Sequence, residues 1–483
     1  MSEFQKASDY QRLTMYRPDT MSGGGMDWSN RPELYKSYPS AEQIALPREL
    51  NLPRADAWTA LNGGFKRPPA PLNLDTLARL LFMAYGFTNQ VTYGTEMYLY
   101  RSAPSAGALY PVDIYVAARD IEGLEDGLYH YSVIDFALTR LRRGAPPSNI
   151  PAPGLILTGL FFRSAWKYMK RAFRYCLLDA GHAAENIRLA GEALGLQPQV
   201  SADFHDREVN QYLGLDDQRE ITLAVVQLGD AAPAGVLAPV PAEPVPSAAP
   251  VAQREDLFDE IIQVARITAE PLTAPPSEFP WPSDHAVSPP APNWADFSGP
   301  TLVKVLQERR SRRNFKPQTV TQQELARLLD MVVTPQTNRA FKLGLVLNEV
   351  QDMPDGLYFV NAPEPELVIS QRGFISPSLA MAALGQDWVG RANVIMVAIA
   401  PLDQLEQQYG SRSLRVAYLE AGRLGQKAYL AAETMGWGCC GVGAFMDEQV
   451  QKLLNLPPDE YPLYIISVGP IKKRTHGGRN REG

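Results

Sequence analysis

The feature that most constrains this chain is that its two halves repeat each other. Leu77-Ala-Arg-Leu-Leu81 returns as Leu325-Ala-Arg-Leu-Leu329, and Asp126-Gly-Leu-Tyr129 returns as Asp355-Gly-Leu-Tyr358. Leu178-Asp-Ala-Gly181 returns as Leu419-Glu-Ala-Gly422, an offset of 241. Near that offset Gly195 matches Gly436, Leu213 matches Leu454, and Leu228-Gly229 matches Val468-Gly469. Matches kept in one order at so long a period do not fit a solenoid, whose units run to roughly 20–50 residues. They require two related domains, and 483 residues are enough for two large cores.

Each half shows the same pattern. A helix (Leu74–Tyr85; Gln322–Val332) precedes a strand (Val112–Ala118; Leu343–Leu347), an Asp-Gly turn and a second strand. A long amphipathic helix follows (Tyr175–Leu194; Val416–Met435), closed by a C-cap glycine, and a last helix and apolar strand complete the half (Ile221–Leu228; Tyr464–Val468). Helices and strands mixed in this way predict an α+β fold of two tandem domains. Between the halves the chain turns to proline: 14 of 41 prolines lie between Ala231 and Trp294. Proline blocks helix and central-strand hydrogen bonding, so this reads as a stiff connector holding one short helical piece, Asp256–Ile267. The expected division is an extended arm over 1–65, domains over 66–230 and 300–483, and a linker over 231–299.

Composition narrows the function. A net charge of -7 and a pI near 5.5 argue against coating a nucleic acid. No run reaches the ~18 apolar residues of a membrane helix, and the polar N-terminus is not a signal peptide. Three cysteines build no disulfide framework, which makes a reducing cytoplasm the expected compartment. Five scattered histidines lack metal-ligand spacing, so no metal site is expected. Walker, dinucleotide and nucleophile-elbow motifs are absent.

Five segments carry candidate chemistry, and each also has a plain structural reading. Glu308-Arg-Arg-Ser-Arg-Arg-Asn-Phe315 is a fork-like array suited to a phosphate, or a solvated basic helix end. Ile471-Lys-Lys-Arg474 is a second basic cluster in the same half, or a charged tail. Gly436-Trp-Gly-Cys-Cys-Gly-Val-Gly-Ala-Phe445 lets backbone amides approach a flat ligand, or is a strained turn between helix and strand. Its vicinal cysteines read as small core packing rather than a redox pair. Arg101-Ser-Ala-Pro-Ser-Ala-Gly-Ala-Leu-Tyr-Pro111 is a small-residue loop that can cradle an aromatic system, or a plain connection. Lys167-Tyr168 can move a proton if its surroundings tune it, although most such pairs lie on the surface.

Taken together, these residues resemble the nitroreductase superfamily. More narrowly they resemble its FMN-dependent azoline (thiazoline/oxazoline) dehydrogenases of streptolysin and cyanobactin type. Pro104-Ser-Ala-Gly-Ala-Leu-Tyr-Pro111, Gly127-Leu-Tyr-His-Tyr131, and Lys167-Tyr168 ahead of Arg174-Tyr-Cys-Leu-Leu-Asp-Ala-Gly-His182 carry the likeness. It covers roughly residues 60–230 and 300–475.

The resemblance implies two like domains that clasp each other and bind FMN at their interface. Carried onto this sequence, the second half supplies Arg309, Ser311 and Arg313 near its start, Gly441, Gly443 and Ala444 in the glycine-rich turn, and Lys472 and Arg474 at its end. The first half supplies the loop Pro104, Ser105, Ala106 and Gly107. The converse set is degraded. Asn62-Gly-Gly-Phe-Lys-Arg-Pro68 replaces the arginine cluster, Leu196-Gln-Pro-Gln-Val-Ser201 lacks glycine, and Thr334-Pro-Gln-Thr-Asn-Arg339 replaces the Pro-Ser loop. One composite site per chain is therefore expected. Lys167 and Tyr168 match the family's proton-handling pair, and the second half has Gln408-Tyr409 there. The implied reaction is two-electron oxidation of a ring C–N or C–C unit in a peptide or small molecule, free or held by a precursor peptide or carrier protein. An NAD(P)H-dependent nitro or quinone reductase and a non-catalytic peptide-binding scaffold remain as alternatives. The chain is expected as a monomeric pseudo-dimer or a homodimer.

Overall fold

The computed structural model describes residues 4–18, 26–93, 96–229, 243–274, 286–287, 289–334, 341–361 and 366–472. The strands are β1 (Gln43–Ala45), β2 (Phe87–Tyr93), β3 (Glu96–Arg101), β4 (Val112–Ala118), β5 (Gly127–Ser132), β6 (Ala137–Arg143), β7 (Gly154–Leu160), β8 (Gln199–Ser201) and β9 (Glu220–Gln227) in the first half. The second half has β10 (Ala286–Val287), β11 (Lys342–Leu347), β12 (Gly356–Asn361), β13 (Glu366–Arg372), β14 (Val394–Pro401), β15 (Gly438–Val442) and β16 (Glu460–Gly469). Apart from the separate β2–β3 hairpin, they form two seven-stranded sheets of matching order, β1-β6-β5-β4-β7-β9-β8 and β10-β13-β12-β11-β14-β16-β15. The duplication read from sequence is a duplication of fold, α+β in each half.

The pattern of the central strands explains why they read as unbroken apolar runs. Val112, Ile114 and Val116 face the large shared core, while Tyr115 and Ala117 face a smaller one under the Asp206–Leu213 helix. In β14, Val394, Met396 and Ala398 join the shared core, and Ile395, Val397 and Ile399 pack under the helices Ser376–Ala382 and Asp447–Leu453. Both sheet faces are covered, so alternation is lost.

The halves meet through two long helices, Ala172–Leu194 and Ser413–Thr434. They cross at Gly181 and Gly422. A Cβ on Gly181 would run into the Leu419 carbonyl oxygen, and one on Gly422 into the Leu178 carbonyl oxygen. The contact is reciprocal at the 241-residue offset, so a pseudo-twofold axis passes between the two glycines. Hydrogen at Cα is the only substituent that lets the backbones approach so closely.

Segments outside the repeated cores bind them together. The arm adds edge strand β1 to the first sheet, and its helix Ala7–Leu13 docks on the second half, where Glu406 accepts from the Ala7 and Ser8 amides at 2.7 and 3.0 Å. Part of the connector also packs. Val251 accepts from the Glu33 amide, Asn30 exchanges bonds with Arg254, and a helix forms over Asp259–Ile267. No helix among the described residues is long and apolar enough to cross a membrane. Gly181→Ala is expected to cost about 1–3 kcal/mol by overpacking the crossing, read as a lower denaturation midpoint in urea; an unchanged midpoint would contradict this placement of the axis.

Candidate active site

Each half holds the other half's site segment. Arg309, buried at the end of the helix Leu302–Glu308, donates to the carbonyls of Ser102 (2.8 Å) and Arg101 (3.2 Å), the stem of the Pro-Ser loop. This differs from the expected phosphate contact. The Arg309 guanidinium lies inside and grips main chain at the end of β3. In return, Arg171 and Tyr175 of the first half donate to the Gly443 carbonyl at 3.0 and 3.2 Å. Arg171 and Arg174 are themselves fixed by buried Asp447, at 2.8 and 2.9 Å.

The middle of the glycine-rich segment is an edge strand, β15, with Gly443 and Ala444 just past its end; only Gly436 before it takes a left-handed φ, 70°. The glycines are needed for contact. A Cβ on Gly441 would meet the Tyr464 hydroxyl, and one on Gly443 the Tyr175 ring. Tyr429 accepts from the Gly441 amide at 2.9 Å and lies 2.9 Å from Ser311 Oγ. With their carbonyl side held by the first half, the amides of half-exposed Gly443 and Ala444 have no hydrogen-bond acceptor among the described residues.

Ser311 and Arg313 are exposed beside this strand. Bridges from Ser311 to Cys439 and from Phe315 to Ile471, and the Lys472 amide on Asn314, bring Ser311, Arg313 and exposed Lys472 to one edge. The Arg313 guanidinium lies 5.4 Å from the Trp388 ring. Arg474 falls outside the described residues. An exposed cationic edge next to a glycine-containing strand, with the Gly443 and Ala444 amides unclaimed at its end, fits a flavin phosphate and ring.

On the facing side, Gly107 lies against Lys167 and Tyr168. A Cβ there would stand 3.0 Å from the Tyr168 hydroxyl and 3.3 Å from Lys167 Cδ. Lys167 and Tyr168 end the Phe161–Tyr168 helix, as Gln408 and Tyr409 end the Leu402–Tyr409 helix. The Tyr168 ring lies 4.2 Å from that of Tyr175, tilted by 38°, the same Tyr175 that touches Gly443. The loop Pro104–Gly107, Lys167, Tyr168 and the glycine strand thus converge. Burial pushes the Tyr168 hydroxyl well up, with nearby Asp179 adding to the shift.

Behind the site runs a neutral relay. Gln426 Nε2 donates to Asn186 Oδ1 at 2.6 Å, so Gln426 Oε1 accepts from His182 Nδ1 at 3.0 Å. His182 Nε2 then accepts from the Tyr464 hydroxyl at 3.1 Å. Burial pushes the imidazole down to about 3. The 241-residue offset turns His182–Gln426 into Arg423–Glu185, and at that place Glu192, Arg188, Glu185, Arg423 and Glu420 form an alternating ionic chain. It lines a cavity of about 210 Å3 with Lys427, whose amine burial pushes down to about 7. The two faces of one helix pair are neutral and ionic.

Two signals went unread in the sequence. Arg412 and Arg415 on Asp206 repeat Arg171 and Arg174 on Asp447 at the same offset, and Arg412 binds the Ala202 carbonyl (2.9 Å) as Arg171 binds that of Gly443. Arg-x-x-Arg recurring with an aspartate in each half would have shown it. Asp179, inside a recognised motif, holds the Pro-Ser loop through Ser105 Oγ (2.5 Å) and the Ala106 amide (3.2 Å).

A nitroreductase family model matches residues 68–230 and 306–470. The chain belongs to the nitroreductase family. A crystal structure of an Anabaena variabilis protein described as a nitroreductase is 26% identical, covers 97% of this chain and 100% of its own, and superposes with a TM-score of 0.76. The trifolitoxin-processing protein TfxB of Rhizobium leguminosarum is 32% identical over 32% of this chain and 46% of its own length. The microcin B17-processing protein McbC of Escherichia coli is 26% identical over 33% of this chain and 62% of its own length. The nitroreductase is thus a tandem one, an oxidoreductase whose relatives include peptide-processing proteins. In this nitroreductase His182 is expected to stay neutral with its proton on Nδ1 from pH 5 to 8, followed by 15N NMR of labelled histidine; a titration near pH 6.5 would contradict the relay.

Proposed function

We propose that this nitroreductase is an FMN-dependent dehydrogenase with one composite flavin site per chain, oxidising an azoline-like ring or related C–N or C–C unit in a peptide or peptide-derived substrate. The observation that carries the reading is the contact of Gly107 with Lys167 and Tyr168 on one side of the pseudo-twofold axis, where the other side offers Gln408, Tyr409 and an ionic cavity. Both halves are complete as folds, yet the complementary parts of one site survive.

FMN, when bound, supplies a two-electron acceptor. Ser311, Arg313 and Lys472 would hold its phosphate as charge-assisted bonds, with Arg474 following in sequence. The Gly443 and Ala444 amides would donate to the ring edge, and the Pro104–Gly107 loop would line its opposite side. Lys167 would receive the substrate proton. Tyr168 stays protonated and orients it, since its hydroxyl is buried and pushed up. The clasp closes within one chain, so a monomer suffices. TfxB and McbC, named for processing peptide products, support a precursor-peptide substrate.

The test is a synthetic thiazoline peptide incubated with FMN-loaded protein under air, followed by mass spectrometry for loss of two hydrogens. Lys167→Met is expected to slow turnover by roughly 10²–10⁴-fold without altering the bound-flavin spectrum. Consumption of reduced nicotinamide with a nitroaromatic, with the thiazoline left intact, would replace this reading with a reductase. Arg313→Ala is expected to weaken FMN binding roughly tenfold by fluorescence titration.

A further inference from the structure

The Pro-Ser loop is held in costly backbone conformations. Gly107, Ala108 and Tyr110 all lie in the left-handed region, at φ of 67°, 55° and 45°. Glycine adopts it freely, but Ala108 and Tyr110 do not, and residues in sparse regions persist only where their surroundings over-determine them. One carboxylate does so here. Asp179 accepts from Ser105 Oγ at 2.5 Å and from the Ala106 amide at 3.2 Å, and Ser105 Oγ accepts from the Tyr110 amide at 2.8 Å. A single side chain on the long helix ties down both ends of the left-handed run.

We propose that Asp179 is a positioning residue of this site: its carboxylate latches residues 105–110 against Lys167 and Tyr168, and losing its charge loosens them. The consequence for flavin rests on the function proposed above, whereas the latch involves only this chain's own groups.

Asp179 is buried, and no cation pairs with it among the described residues. The groups that sense its charge from the packed elements are Tyr85, Tyr110, Tyr168, Cys176 and Tyr464, all protonated and neutral near pH 7. Burial raises the carboxyl to about 7, against the pull of Ser105 and Ala106. Above that pH both oxygens accept. As the pH falls through it, one oxygen gains a proton and becomes a donor, so the weaker latch belongs to the acid side. The pseudo-equivalent Glu420 is paired with Arg423 instead.

The experiment is amide hydrogen exchange of peptides covering 102–110 at pH 6 and pH 8, corrected for intrinsic rate, in the full chain and in Asp179→Asn and Ser105→Ala. Wild-type protection is expected to be lower at pH 6, and both variants should lack it already at pH 8. FMN affinity is titrated in parallel. The ratio of affinities, wild type over Asp179→Asn, should shrink about tenfold from pH 8 to pH 6, with the FMN phosphate titrating equally in both. Protection that is unchanged by pH and by both variants would overturn the latch. Protection that follows Asp179 in a protein binding no FMN would leave the latch standing and remove the flavin reading.

Discussion

Everything in this structure depends on two glycines touching. Gly181 and Gly422 let the long helices approach until each blocks the other's Cβ, and this crossing sets the axis about which the halves are related. A side chain at either position would push the helices apart. Such a shift would separate Arg309 from the Ser102 carbonyl and Arg171 from that of Gly443, the bonds by which each half shapes the other's loop.

About that axis the scaffold and the chemistry have diverged differently. The scaffold is kept twice: two sheets of one order, and two buried Arg-x-x-Arg–Asp clusters bracing equivalent carbonyls. The side chains between the long helices are not kept twice. One face of the helix pair carries an imidazole and amides, and the other carries five alternating charges and a lysine. On the second face the ion pairs line a cavity of about 210 Å3, where the first face packs His182, Gln426 and Asn186 against one another.

Much of this was legible in the residues. The helices Leu74–Tyr85 and Gln322–Val332 lie where they were read from sequence, and the structure closes them with caps at Asn73 and Thr321, the second a full capping box with Glu324. Lys167 and Tyr168 do meet the Pro-Ser loop. What escaped was set by distant partners. β1 and β10 are too short to read and exist only because β6 and β13 offer an edge. The glycine-rich stretch looked like a turn because its strand is fixed by pairing with β16, not by propensity. Arg309 looked like a surface ligand because sequence shows a charge, while its inward direction is set by carbonyls of the other half, those of Arg101 and Ser102.

The central claim is that one of two pseudo-equivalent sites is built for flavin. It is tested most directly by counting flavin released by acid from purified, FMN-saturated protein against chain concentration. One FMN per chain is expected. Two per chain would mean that the ionic face also binds it, and none would remove the composite site altogether.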